Sequence, residues 1–260
     1  MKAVFSAPMA AMVLFFACPA VSSRAQDSQV SGVETLPTAK AVFAKCVEAM
    51  GGRDRLSKIE TAVMKGKADI PEFGASGAVV VYYSQGKLSA VAEFNGVKTL
   101  QGVDGAKGWE LNPMTGARSL SEAEASQLVS SVTMKTYLDP EAAYKTIEVK
   151  GFEDVDGEKC VRVDMVRSAD DAKESIYFAV DTGLPKLEKS VRKTNLGEVD
   201  VVTSIEGYDE YDGIKVPSEM SSQLEKLGMT YNLKTESMKF NGKVDDSVFD
   251  VPDAVKDLLK

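Results

Sequence analysis

The spacing of apolar and polar positions changes character once along the chain. From Thr38 to Met50 the apolar residues Val42, Phe43, Cys46, Val47 and Met50 recur at helical spacing and predict one amphipathic helix. Pro37 and Thr38 open it, and Gly51-Gly52 close it ahead of a short second turn from Arg53 to Lys58. From Thr61 onward the period drops to two, in short runs rich in Val, Ile, Tyr, Phe and Thr. Asn95-Gly96, Asp104-Gly105, Asp156-Gly157 and Asp212-Gly213 separate these runs and signal hairpins. The pattern predicts strands over 61–70, 75–84, 87–94, 97–103, 107–112, 146–153, 158–167, 174–181, 185–194, 199–208, 214–224 and 229–240, mostly antiparallel to their neighbours. One helical interruption runs from Ser121 to Ser131 and on toward Tyr144, behind the cap box Ser121-Glu-Ala-Glu124. A short helix over 253–259 ends the chain.

A sheet of eleven or twelve antiparallel strands curls into a barrel, a half-barrel or two packed layers. Val199, Val201, Thr203 and Ile205 oppose Asp200 and Ser204, and Met229, Tyr231 and Leu233 alternate with Thr230, Asn232 and Lys234, so these strands have one wet face. Strand 75–84 differs. Val79, Val81 and Tyr83 oppose Val80 and Tyr82, which makes it apolar on both sides and calls for cover on its second face.

Lys2 and the apolar run Ala10–Ala20 read as a secretory signal peptide over residues 1–25. Ser23-Arg24-Ala25 places the cleavage before Gln26; lipoprotein processing at Cys18 is the alternative. A flexible leader, 26–36, then precedes a single domain over 37–260, with no transmembrane segment in the mature chain. Export points to the periplasm. Without residues 1–25 the chain keeps 29 Lys and Arg against 39 Asp and Glu, a formal charge of −10, which disfavours a nucleic-acid partner. Two cysteines remain, Cys46 and Cys160. An even count in an oxidising compartment invites a disulfide, and two separate buried thiols, one on a helix and one on a strand, are the alternative.

The chain has no histidine, which removes Ser-His-Asp and Cys-His catalysis and the usual zinc sites together. The carboxylate pairs Asp170-Asp171, Asp209-Glu210 and Asp245-Asp246 fall in turns and read as solvated loop charge. Asp154-Val-Asp156-Gly157 echoes the start of a calcium loop, but Val163 stands where the closing Glu belongs. We expect no catalytic residue, no metal and no cofactor. The protein reads as not an enzyme, a glycosidase-like carboxylate pair being the remaining catalytic option.

Several phrases in order along the chain resemble those of the LolA/LolB-like superfamily of periplasmic lipoprotein-sorting and carrier proteins. They are Glu48-Ala-Met-Gly-Gly-Arg-Asp-Arg-Leu56, Asp104-Gly-Ala-Lys-Gly-Trp-Glu-Leu-Asn-Pro113, Val180-Asp-Thr-Gly-Leu-Pro185, Tyr211-Asp-Gly-Ile-Lys-Val-Pro217 and Phe249-Asp-Val-Pro252. The resemblance implies an α+β, mainly antiparallel β fold. Its large curved sheet is an unclosed half-barrel whose concave face is covered by the N-terminal helix and a middle helical segment. It also implies a hydrophobic ligand, a lipid or lipoprotein acyl chain, held between sheet and helices. The large apolar residues that would line such a cavity are Val79, Val81, Tyr83, Leu88, Phe94, Trp109, Leu111, Ile176, Phe178, Tyr231 and Leu233, with Met134, Met220, Met229 and Met238 as adaptable lining. The alternative for these residues is an ordinary filled core. An envelope scaffold that binds a protein partner through the open sheet edges is the alternative function.

Overall fold

A computed structural model describes residues 35–259 except 106, 114, 195 and 196. Residues 1–34, which carry the signal-peptide and Cys18 readings and most of the leader, lie outside the described residues. The first element is α1 (Ala39–Met50), where the Thr38 side chain accepts from the Ala41 N–H and Gly51, with φ of 130°, ends the helix. Its buried stripe is Val42, Phe43, Cys46, Val47 and Met50, the set that helical spacing selects. The short helix α2 (Arg53–Leu56) follows.

Six strands come next: β1 (Thr61–Ile70), β2 (Ala75–Ser84), β3 (Lys87–Phe94), β4 (Val97–Asp104), β5 (Lys107–Asn112) and β6 (Gly116–Leu120). Strand β6 is an addition to the expected set. Gly116-Ala-Arg-Ser-Leu120 shows no alternation of its own and is held by its pairing with β5. The helical interruption is three helices rather than one continuous stretch: α3 (Glu122–Ser130), α4 (Lys135–Leu138) and α5 (Pro140–Ala143). The Ser121/Glu124 capping box forms at the start of α3. Pro140 begins α5, where its missing N–H costs nothing, and the Asp139 side chain caps that turn. Seven more strands complete the sheet: β7 (Tyr144–Val155), β8 (Glu158–Arg167), β9 (Lys173–Ala179), β10 (Pro185–Thr194), β11 (Gly197–Tyr211), β12 (Ile214–Leu224) and β13 (Met229–Phe240). Residues 241–259 then run through short 3₁₀ turns and α6 (Asp253–Lys256).

All thirteen strands form one antiparallel sheet in the order β6-β5-β4-β3-β2-β1-β13-β12-β11-β10-β9-β8-β7. It is not closed, and β6 and β7 are its edges. Asn95-Gly96, Asp156-Gly157 and Asp212-Gly213 each hold two successive positive φ values, the geometry of the tight hairpin turns that those pairs predict. Helices flank the concave face: α1 packs on β7 and β12, and α3 on β3–β6 and β10. The main core joins Val42, Phe43, Cys46 and Val47 of α1 to Val161, Val163, Met165, Ile176 and Phe178 of the sheet. A smaller core joins Leu88 and Val103 to Ala125 of α3.

On the opposite, convex face, the C-terminal segment supplies cover. Its 3₁₀ turn at Asp246–Phe249 meets β3 and β4, and α6 meets β5 and β6. Val255 is fully buried there, and Lys107 Nζ donates to the Leu259 carbonyl at 3.2 Å.

Candidate functional site

Residues directly opposite one another across an antiparallel ladder point to the same face. Registers therefore place Val79, Val81, Tyr83, Leu88, Phe94, Ile176, Phe178, Tyr231 and Leu233 together on the concave face. Trp109 and Leu111 fall on the convex face instead, through the pairs Trp109–Gly102 and Leu111–Leu100. Trp109 is buried there, and its ring lies so close over Gly102 that a Cβ would come within 2.4 Å of it. Both residues belong to the second apolar face that β2 calls for.

The nine concave residues divide by exposure. Val79, Tyr83, Leu88, Ile176 and Phe178 are buried, whereas Val81, Phe94, Tyr231 and Leu233 are half-buried. Phe178 is 1% exposed and meets Phe43 of α1 edge-on, ring centroids 5.4 Å apart. The half-buried group continues over Met64, Met220, Leu224 and Met229, giving an apolar strip along β2, β1, β13 and β12. Small residues lie beneath it. Gly66, Ala68 and Gly77 share its face, and a Cβ on Gly77 would come within 1.8 Å of the Glu93 carbonyl. Across that floor the rings of Phe94 and Tyr231 face each other in a T, 6.4 Å apart. Burial pushes the Tyr231 hydroxyl up to about 12. At the hairpin tips that end these strands, Phe73 is 66% exposed, Val97 41% and Leu227 37%.

No protein-family model matches the chain, and no curated protein matches it in sequence. Solved structures match its backbone. A DUF1329 family protein from Desulfovibrio piger aligns with a TM-score of 0.55 and 16% identity, over 81% of this chain and 96% of its own. A putative outer membrane lipoprotein-sorting protein domain from Vibrio parahaemolyticus gives 0.55 at 11% identity, over 85% and 99%. A LolA superfamily protein from Nitrosomonas europaea gives 0.51 at 14% identity, over 83% and 99%. The fold is LolA-like.

Sequence pattern missed the charge on the concave wall of this LolA-like sheet. In β10 the apolar Leu187 turns to the convex face, while Glu188, Ser190 and Arg192 turn inward. The polar residues of that strand thus line the inside, against the usual alternation. Glu188 accepts from Tyr137 of α4 at 3.0 Å and ties that helix to the sheet. Burial pushes the Glu188 carboxyl and the Tyr137 hydroxyl up. Next to it, Glu174 accepts from Tyr144 at 2.7 Å and from Arg167, whose Nε also lies 3.5 Å from Asp170. Tyr208 donates to the Pro185 carbonyl at 2.7 Å.

Two further features complete the site. A groove of about 610 Å³ lies between α1, the α4–α5 corner and edge strand β7, floored by Phe43, Val47, Leu138, Tyr144 and Ile147. Cys46 is in the concave core and Cys160 on the convex face, both buried and both free thiols. Burial pushes Cys46 up to about 12, with the Glu188 charge adding, and Cys160 up to about 11. Neither thiol is primed for attack. Among the described residues no group of three His, Cys, Asp or Glu is placed to hold a metal, and no helix is long and apolar enough to cross a membrane.

Proposed function

We propose that the protein is an exported, non-enzymatic carrier of a hydrophobic ligand, a lipid or lipoprotein acyl chain seated on the concave strip. The observation that supports it is the half-buried apolar set Met64, Val81, Phe94, Met220, Leu224, Tyr231 and Leu233. These side chains share one concave face with small residues beneath them, whereas an ordinary core buries such residues to the level of Phe178. The exposed rim at Phe73, Val97 and Leu227 adds an apolar approach to the same strip. The putative lipoprotein-sorting domain that shares the backbone is in keeping with this reading. The signal-peptide pattern of residues 1–25 supports a periplasmic location.

Native mass spectrometry of protein purified from a periplasmic extract without detergent tests the proposal. The expected result is a reproducible adduct of lipid mass that is lost in Leu233→Glu and in Val81→Glu, both partly solvent-reached and therefore tolerant of folding. Bare protein that also refuses added lipid overturns it. The groove beside the unpaired edge of β7 favours a second reading, a scaffold that adds a partner's strand to that edge.

A further inference from the structure

The charged residues of the concave wall follow a simple economy. Among the described residues, the strand lysines that the registers assign point to the convex face or, like Lys159 over Phe152, lie at a strand end, and the inward-facing arginines are Arg118, Arg167 and Arg192. Two of the three are clamped. Arg118 bonds Glu124 at 2.8 Å and Glu110 at 3.2 Å, and Arg167 holds Glu174 and Asp170. Arg192 has no hydrogen bond or ion pair among the described residues. The nearby acids are committed elsewhere: Glu174 to Arg167 and Tyr144, Glu188 to Tyr137. Arg192 is exposed to solvent on the concave side of β10, so a ligand can reach it. The planar guanidinium fork of an arginine without an ion pair suits an oxyanion.

Arg192 also has a position relative to the strip. It pairs across to Val199, and the next row of the same face is Ser190, Val201, Leu224 and Met229. Strand β10 is three strands from β13, about 14 Å at the usual spacing, so a head held at Arg192 leaves a tail to run over Leu224 and Tyr231 toward Leu233.

We infer that the ligand is an amphiphile with a carboxylate or phosphate head, seated on Arg192, and an apolar tail laid along the concave strip. This rests on the reading of that strip as the ligand seat, so the test separates the two. Delipidated protein is loaded with the neutral probe N-phenyl-1-naphthylamine, which is then displaced by oleate, oleyl phosphate or oleyl alcohol. In Arg192→Gln, oleate and oleyl phosphate should each weaken about tenfold to a hundredfold while oleyl alcohol competes as before. Loss of oleate alone assigns the head to a carboxylate, and loss of oleyl phosphate alone to a phosphate. Arg192→Lys should recover part of the loss. Leu233→Glu should weaken all three. Unchanged anion binding in Arg192→Gln, or equal loss of anions and alcohol, overturns the head-group seat while leaving the strip as a ligand site. Failure of the unaltered protein to take up the probe or any of the three overturns both.

Discussion

The two ends of the concave face are built from the same kinds of residue and finished differently. Over β8 and β9, Val161, Val163, Met165, Ile176 and Phe178 are pressed under α1 and α4, each 6% exposed or less. Over β1, β2, β12 and β13, Met64, Val81, Met220, Tyr231 and Leu233 remain half-buried, with helices beside them. Both regions carry large apolar side chains. What differs is the cover, which is set by where the chain places its few helices. Apolar content alone therefore does not separate a covered core from a half-open apolar surface; burial does.

Substitutions at the two ends should respond in opposite ways. Phe178→Ala, in the covered region, should lower stability by about 3–5 kcal/mol in urea unfolding. A loss as small as that of a surface change would mean that α1 does not hold this end shut. Gly77→Ala should cost about 1–3 kcal/mol, because the Glu93 carbonyl occupies the place of the new Cβ and the strands must shift. Leu233→Ala should cost only about 1 kcal/mol in thermal unfolding, since its side chain is already partly in water, yet should weaken lipid retention clearly. Equal stability losses in Leu233→Ala and Phe178→Ala would dissolve the distinction.

The smallest effect concerns the Tyr137–Glu188 tie between α4 and β10. Burial raises the Glu188 carboxyl above its ordinary 4.5, so the folded protein binds that proton more tightly than the unfolded chain. Its contribution to stability is complete below 4.5 and is lost as pH rises through the raised value. Urea midpoints from pH 4 to 8 should therefore fall more for the unaltered protein than for Glu188→Gln, which stays neutral throughout. Parallel profiles would remove Glu188 from the account.

Much of the fold was legible because its signals are local. The Asn-Gly and Asp-Gly turns fix hairpin positions, and β2, β3, β8 and β12 begin and end where alternation and those turns place them. Strand β6 was not legible, since Gly116–Leu120 owes its form to β5. The site was harder. Val81 and Leu233 could be picked as large apolar residues, but the face each occupies depends on registers with strands far away in sequence. That remote parity sends Trp109 outward under the C-terminal segment and Leu233 inward. Glu188 and Arg192 were missed because inward-facing charge contradicts the alternation on which a strand is read.

The sheet order carries a consequence for how the molecule assembles in time. Strands β1–β6 form one run of neighbouring hairpins and β7–β13 another, and the two meet only where β1 pairs with β13. That seam joins Ala68 to Leu233 across most of the chain. Hairpins close fast, whereas a contact between such distant segments must wait for the entropy of a long loop to be overcome. The concave strip straddles this seam, with Val81 on one side and Tyr231 on the other. The strip is therefore completed by the pairing that closes the longest loop, after the two half-sheets have formed.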